Sequence, residues 1–445
     1  MSNVKAPRLS TTIFIPFPTV FQEISFIHGG LIDELTRRGH NIVILVNNEQ
    51  TCEKFRHYLL NKSNIKIEIA KPGMPSWRRR LFGIIPEALS FKNINNLAPI
   101  TKKRIEKNTR VIIKLFSLMI PAPILVRLQN RFLTFKNYDM LFLRHKPDLV
   151  LLSDCGNITL NRYLARSARK FGVPVMAVEQ SVDDAEICSW LPVLDKACVW
   201  GEDMKDELIR YHGYPAGNIS VVGLLRGDIY KDESLLEKRY DFFQKYGLDP
   251  GKKLITIATT PSNPAIFCDI AKSILRYSKN GQIPYPIQIY IRPTPYQYEK
   301  KDKYLGEFLN NSLVHIGEPF PMRGRDVISE EAASLLANLL RYSNVLINIL
   351  STLTLEACLV DVPVINVAFK EVGSVFNYEY AKRVIAVGGT SLARDMPELI
   401  EALNLYLENP GYKRELRKEI VSRFCHSADG NATLRAVEIA ESIGK

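Results

Sequence analysis

Short apolar runs alternate along this chain with stretches whose apolar residues recur every three or four positions. Residues 12–16 (Thr-Ile-Phe-Ile-Pro) form the first run, and 24–38 carry apolar residues at helical spacing. Gly39-His40 then ends that stretch before a second run at 41–46. Strand, helix, glycine, strand is a βαβ unit, which predicts a parallel sheet with helices on its faces. The alternation recurs, with strands at 148–153, 174–179, 197–200 and 219–222 and helices at 160–171 and 202–212. A polar, charged stretch at 226–253, closing on Asp249-Pro250-Gly251, marks a boundary. Beyond it, strands are expected at 254–258, 287–291, 313–316 and 345–349, and helices at 263–277, 329–341, 396–407 and 431–443. The pattern predicts an α/β chain of two Rossmann-like domains facing a cleft. Their expected limits are 1–228 and 254–425, with a linker at 229–253.

Residues 76–146 break the alternation. Arg78-Arg79-Arg80, Lys102-Lys103-Arg104, Lys107, Arg110, Lys114, Arg127 and Arg131 are interleaved there with Trp77, Phe82, Phe116, Phe132 and Phe135. This mixture predicts a basic helical insertion in the first domain, of a kind that can rest on an anionic bilayer. An ordinary amphipathic helical pair with a solvated basic face reads the same way. The whole chain carries +12, which calls for an anionic partner. No nucleic-acid-binding signature accompanies that charge, so nucleic acid is not expected. At 445 residues two domains are the default, and an apolar fraction of 46% with 24% charged is that of a soluble protein. No membrane-spanning run or signal peptide is read. The seven cysteines lack paired spacing and several sit in apolar runs, which predicts reduced core thiols and neither disulfide frame nor zinc. The expected location is cytoplasmic, with peripheral attachment to the inner membrane face left open.

Candidate chemistry gathers after the strands of the second half. Thr259-Thr260-Pro261-Ser262 follows the first, Arg292-Pro293-Thr294-Pro295 the second, Gly317-Glu318-Pro319 the third and Leu350-Ser351-Thr352 the fourth. In a parallel sheet these ends line one crevice, where α/β proteins bind ligands. Ser351 and Thr352 stand where a helix begins, with free N–H groups and the positive dipole end suited to a diphosphate. Glu356, one turn on, could accept hydrogen bonds from sugar hydroxyls. A plain N-capped helix explains the two hydroxyls equally. A permanently charged arginine beside hydroxyl-rich turns and a helix N-terminus describes a nucleoside-diphosphate site.

The order of Arg-Pro-x-Pro at 292–295, His-Ile-Gly-Glu-Pro at 315–319, Ser-Thr-Leu-Thr-Leu-Glu-Ala at 351–357 and Asp429-Gly430-Asn431-Ala432 resembles GT-B glycosyltransferases of bacterial surface-polysaccharide synthesis. CDP-glycerol glycerophosphotransferase-like, Kdo-transferase-like and UDP-GlcNAc 2-epimerase-like proteins are the nearest in kind. Val199-Trp200-Gly201-Glu202 and Val221-Val222-Gly223, with Arg226-Gly227-Asp228, are similar to the end of their N-terminal domain. The resemblance covers about 145–230 and 254–445, whereas 50–145 match nothing. It implies a nucleotide-sugar donor held by Thr260, Arg292, Thr294, His315, Glu318, Ser351, Thr352 and Glu356, with the 315–319 turn bordering the base. Arg226 and Asp184 are further candidates. It also implies a glycan or lipid-linked acceptor on the N-terminal half, and a final segment, 426–445, packing back toward that domain. Thr294-Pro295 departs from the His-Pro pair common in these enzymes, which puts donor activation by a histidine in doubt.

An inverting transfer needs a base near the acceptor hydroxyl. Glu23, in the loop after the first strand, is the first choice and His28 the second, although Glu23 also suits the helix dipole. Asp183-Asp184-Ala185-Glu186 adds an acidic cluster at a strand end. No Asp-x-Asp motif is present, so neither catalytic metal nor cofactor is implied. The expected activity is sugar transfer from a nucleotide-activated donor. Glycerophosphate or polyol-phosphate transfer from a CDP donor, 2-epimerisation of a UDP-GlcNAc-type substrate, and non-catalytic sugar-nucleotide or glycan binding are the alternatives.

Overall fold

A computed structural model describes residues 10–17, 24–59, 62–70, 115, 118–121, 124, 136–154, 159–187, 194–259, 264–293, 305–317 and 330–443. The chain divides into two compact units, Met1–Val222 with Thr433–Lys445, and Gly223–Ala432.

Unit 1 is built on a parallel sheet of β1 (Thr12–Pro16), β2 (Asn41–Val46), β3 (Ile65–Ile69), β4 (Leu149–Leu152), β5 (Val175–Val178), β6 (Lys196–Val199) and β7 (Ile219–Val221). Their order is β3-β2-β1-β4-β5-β6-β7. The strand order reverses between β1 and β4, which is where open α/β sheets leave a crevice at their carboxyl ends. β1, β2, β4 and β5 are buried on both faces, so they read in the sequence as unbroken apolar runs. The helix expected at 24–38 forms as two pieces. A π-helical turn, Ile24–His28, ends at Gly30, whose φ of +80° suits a residue without Cβ, and a regular helix, Leu31–Arg37, follows.

The last helix, Ala432–Ile443, belongs to unit 1. Thr433 donates its hydroxyl to the Gly29 carbonyl at 2.6 Å. Glu441 accepts from Arg38 at 2.8 Å and lies 3.3 Å from the buried His40.

Unit 2 contains β8 (Lys253–Ala258), β9 (Ile287–Arg292), β10 (Val314–Ile316), β11 (Val345–Asn348), β12 (Val364–Val367) and β13 (Ser391–Ala393), all parallel, in the order β10-β9-β8-β11-β12-β13. Here the reversal falls between β8 and β11. Isoleucines of β8, β9, β11 and β12 pack on the helices Pro264–Lys279 and Met396–Glu408 on one face. Ala333, Leu336, Ala337 and Leu340 of the helix Glu330–Tyr342 cover the other.

The stretch 229–253, expected as a linker, packs into unit 2. Tyr230, Leu235, Phe242, Phe243 and Leu248 are buried there, and the buried Asn338 accepts from the Glu237 amide at 2.9 Å. Those apolar residues are spaced among charged ones, so composition alone conceals their burial. Of the insertion expected at 76–146, most lies outside the described residues; its last part forms the helix Lys136–His145. Among the described residues, no helix is long and apolar enough to cross a membrane.

Candidate functional site

Unit 2 gathers its charged groups beyond the carboxyl ends of β9 and β11, the two strands that flank β8. Arg292 is the last residue of β9, and its carbonyl accepts from the Thr259 amide at 3.1 Å. β11 ends at Asn348 and leads through Ser351 into the helix Thr352–Leu359, called α1 here. Ser351 is its N-cap, with Oγ accepting from the Leu353 amide at 3.3 Å. Asn348 donates to Ser351 Oγ and to Thr354 Oγ1 at 3.2 Å each, and Thr354 reaches Asn366 of β12 at 3.1 Å. These buried amides and hydroxyls pin the start of α1 to the ends of two strands.

Glu356 sits one turn into α1 and is buried, 3% exposed. Its Oε1 is 2.9 Å from Arg226 Nη2, and its Oε2 accepts the Tyr230 hydroxyl at 2.5 Å. Arg226 and Tyr230 come from the 3-10 turn Leu225–Tyr230, which lies close on α1 because Gly227 has no Cβ. A Cβ there would stand 2.7 Å from Leu359 Cδ1. Burial, followed by the Glu356 charge, pushes the Tyr230 phenol well above its ordinary range. Burial lowers the Arg292 guanidinium, while Glu356, Tyr230 and Tyr290 work to raise it. Arg226 thus pairs with Glu356, and the charge of Glu356 acts on Arg292 as well. Both guanidiniums stand beside the N-terminal end of α1, where the helix dipole is positive.

Several expected donor groups meet here: Arg226, Arg292, Ser351, Thr352 and Glu356 share this corner of unit 2. Glu356 differs from expectation in its partners, since both oxygens are engaged within the protein. Each oxygen keeps a second lone pair for a hydroxyl. His315 lies on β10, where burial and then Lys252 hold its imidazole below the usual range and neutral. Gly317 packs on the Tyr290 ring, with room for no side chain: a Cβ would lie 2.1 Å from the phenol oxygen. Thr260, Thr294 and Glu318 lie outside the described residues. Tyr230 escaped the sequence reading because its partner is 126 residues away and its neighbours are polar.

In unit 1, Glu23 lies outside the described residues and His28 closes the π-helical turn, partly buried. Acidic groups are instead brought together beyond β4 and β5. Asp154 follows β4 and is 2% exposed; Glu179 follows β5 and is 1% exposed. Asp184 begins the short helix Asp184–Ile187 at 5% exposure. Asn161 donates to Asp154, while Glu179 Oε1 accepts from the Gln180 and Ser181 amides at 2.7 and 3.2 Å. Burial raises the Glu179 carboxyl to about 7; its hydrogen bond with Asp184 and those from the two amides oppose the rise, and the charge of Asp154 adds to it. Asp184 is raised well above its ordinary range, by burial first and then by Glu179. Burial and mutual repulsion thus oppose ionisation of both carboxyls. Asp184 was among the sequence candidates, whereas Asp154 and Glu179 were not. The available signal was an apolar run ending in a carboxylate, at Leu151-Leu152-Ser153-Asp154 and Ala177-Val178-Glu179.

Comparison with solved structures gives a consistent architecture. The chain is similar to a UDP-GlcNAc 2-epimerase from Neisseria meningitidis bound to UDP-GlcNAc, with TM-score 0.59, 15% identity, and coverage of 96% of this chain and 98% of that one. It is also similar to a glycosyltransferase from Rickettsia africae (0.52, 11% identity, 98% and 99% covered) and to Acinetobacter baumannii MurG (0.51, 15%, 98% and 100%). The fold is GT-B. No protein-family model and no curated protein sequence matches the chain. In this GT-B chain each Rossmann-like unit places buried charged groups beyond the carboxyl ends of its own strands: Arg226, Arg292 and Glu356 in unit 2, and Asp154, Glu179 and Asp184 in unit 1.

Proposed function

We propose that this chain is a glycosyltransferase that takes a sugar from a nucleotide-activated donor. The observation that carries the reading is the meeting of Arg226, Arg292 and the buried Glu356 beside the capped start of α1. A diphosphate would be met there by the guanidiniums, with the Ser351 and Thr352 region supplying N–H donors. As the sugar–phosphate bond breaks, negative charge grows on the leaving nucleotide, and fixed guanidiniums and N–H groups stabilise it without reorganising. The Glu356 carboxylate, paired with Arg226, offers a lone pair to a ribose or sugar hydroxyl.

In unit 1 the Glu179–Asp184 pair would act on the acceptor. A carboxyl with a pKa of about 7 is matched to proton transfer at neutral pH: its ionised form takes the acceptor hydroxyl proton as the new glycosidic bond forms.

The same pair favours a second reading, 2-epimerisation of a sugar nucleotide, because two neighbouring acids with raised pKa suit removal and return of a proton at one carbon. The two reactions separate in one assay. Incubated with UDP-GlcNAc in deuterated water, a transferase leaves the sugar C2 proton in place and releases UDP in proportion to added glycan acceptor. An epimerase incorporates deuterium at C2 with no acceptor present. Deuterium incorporation without acceptor dependence would replace the first reading by the second.

A further inference from the structure

Unit 1 displays apolar side chains where a protein surface ordinarily carries polar ones. Leu115, Leu118 and Met119 stand at helical positions spaced i, i+3 and i+4, and are 51%, 73% and 76% exposed. Ile124 follows at 44%. On the helix Lys136–His145, Tyr138, Leu141 and Phe142 point into the core, whereas Met140 and Leu143, three positions apart, are 59% and 58% exposed. Single exposed leucines mean little. Here, among the described residues, only Tyr240 joins these five as a large apolar side chain more than half exposed.

The same part of the sequence carries the charge. Residues 76–146 hold fifteen Lys and Arg against three Asp and Glu, which accounts for the whole net charge of +12. The rest of the chain is balanced, with forty-four of each sign. Exposed leucine and methionine inside the basic part of a chain have a specific physical use. Cations draw the segment to anionic headgroups, and the apolar side chains enter the boundary between headgroup and acyl chain. A nucleic acid would use the charge and gain nothing from the leucines. A second copy of the chain would bring two strongly basic segments together.

We infer that the exposed apolar side chains Leu115, Leu118, Met119 and Ile124, with Met140 and Leu143, dock unit 1 on an anionic bilayer surface. The docking is interfacial and holds the protein on one leaflet. It stands apart from the reading of the nucleotide site, since none of these residues takes part in that chemistry.

The test is co-sedimentation of the full chain with vesicles of phosphatidylcholine alone and of phosphatidylcholine with phosphatidylglycerol. Partition onto the anionic vesicles is expected to be at least about tenfold stronger, and to fall as salt screens the headgroups. Paired Leu118→Glu and Met119→Glu substitutions should lower it by about tenfold, and Leu143→Glu should also weaken it. Both variants should keep the parent melting curve, because exposed positions tolerate substitution. Equal partition onto neutral vesicles, no partition at all, or undiminished binding by the charge-adding variants would overturn the inference. So would light scattering showing that the substitutions convert a dimer to a monomer without vesicles.

Discussion

At Glu179, burial opposes ionisation. The carboxyl is ordinary in the unfolded chain, at 4.5, and raised to about 7 in the fold. Between those values the native state therefore binds more protons than the unfolded one. Its stability falls as pH rises through that window and levels off above about 7. The full penalty is about 3 kcal/mol at alkaline pH, at 1.36 kcal/mol per unit. Glu179→Gln removes the charge and keeps the shape. Urea unfolding should show the variant more stable than the parent by up to that amount at pH 8, and nearly equal to it at pH 4. Turnover should be lost in the same variant. A variant that is no more stable at pH 8 than at pH 4, relative to the parent, would mean that Glu179 is not held as a buried acid. Gly317 and Gly227 make a different residue-scale point. Each is required by a close neighbour, the Tyr290 ring or Leu359, and neither neighbour is near it in the sequence.

Among elements, the start of α1 combines a cap and a candidate anion site in the same atoms. Ser351→Ala should cost about 1 kcal/mol of stability through the lost cap. Ser351→Asp should restore the cap, because a carboxylate also accepts from the Leu353 amide, yet place a negative charge where a phosphate would sit. Stability near that of the parent, with nucleotide affinity lowered about tenfold or more, is the expected pair of results from chemical denaturation and calorimetry. Equal nucleotide affinity in Ser351→Asp and the parent would remove the phosphate from this position. Elements legible in the sequence were those whose burial is simple. β1, β2, β8 and β11 are mostly apolar because both faces of a parallel sheet are covered. β3, Ile-Lys-Ile-Glu-Ile at the sheet edge, is half-exposed and escaped the pattern. The 3-10 turn at Leu225–Tyr230 looked like the start of a linker because only its tertiary partners, α1 and the helix Glu330–Tyr342, reveal why its apolar residues are buried. The candidate site divided in the same way. Arg292, Ser351 and Glu356 stand at strand and helix ends, which sequence can locate. The Tyr230 contact spans 126 residues, and the burial that raises Glu179 and Asp184 comes from tertiary packing, neither of which sequence can locate.

For the whole molecule, the central claim is that unit 2 binds the diphosphate of a sugar nucleotide through the arginines around Glu356. Isothermal titration of the chain with UDP-, CDP- and GDP-sugars, accompanied by thermal melting, addresses it most directly. At least one class should bind and raise the melting temperature, since a ligand at a hundred times its Kd adds about 2.7 kcal/mol to the native state. Arg292→Ala, with its fold checked by circular dichroism, should bind that ligand about ten- to a hundredfold more weakly, the usual cost of a lost charge-assisted hydrogen bond. Failure of every nucleotide sugar to bind, or undiminished binding by Arg292→Ala, would contradict the claim.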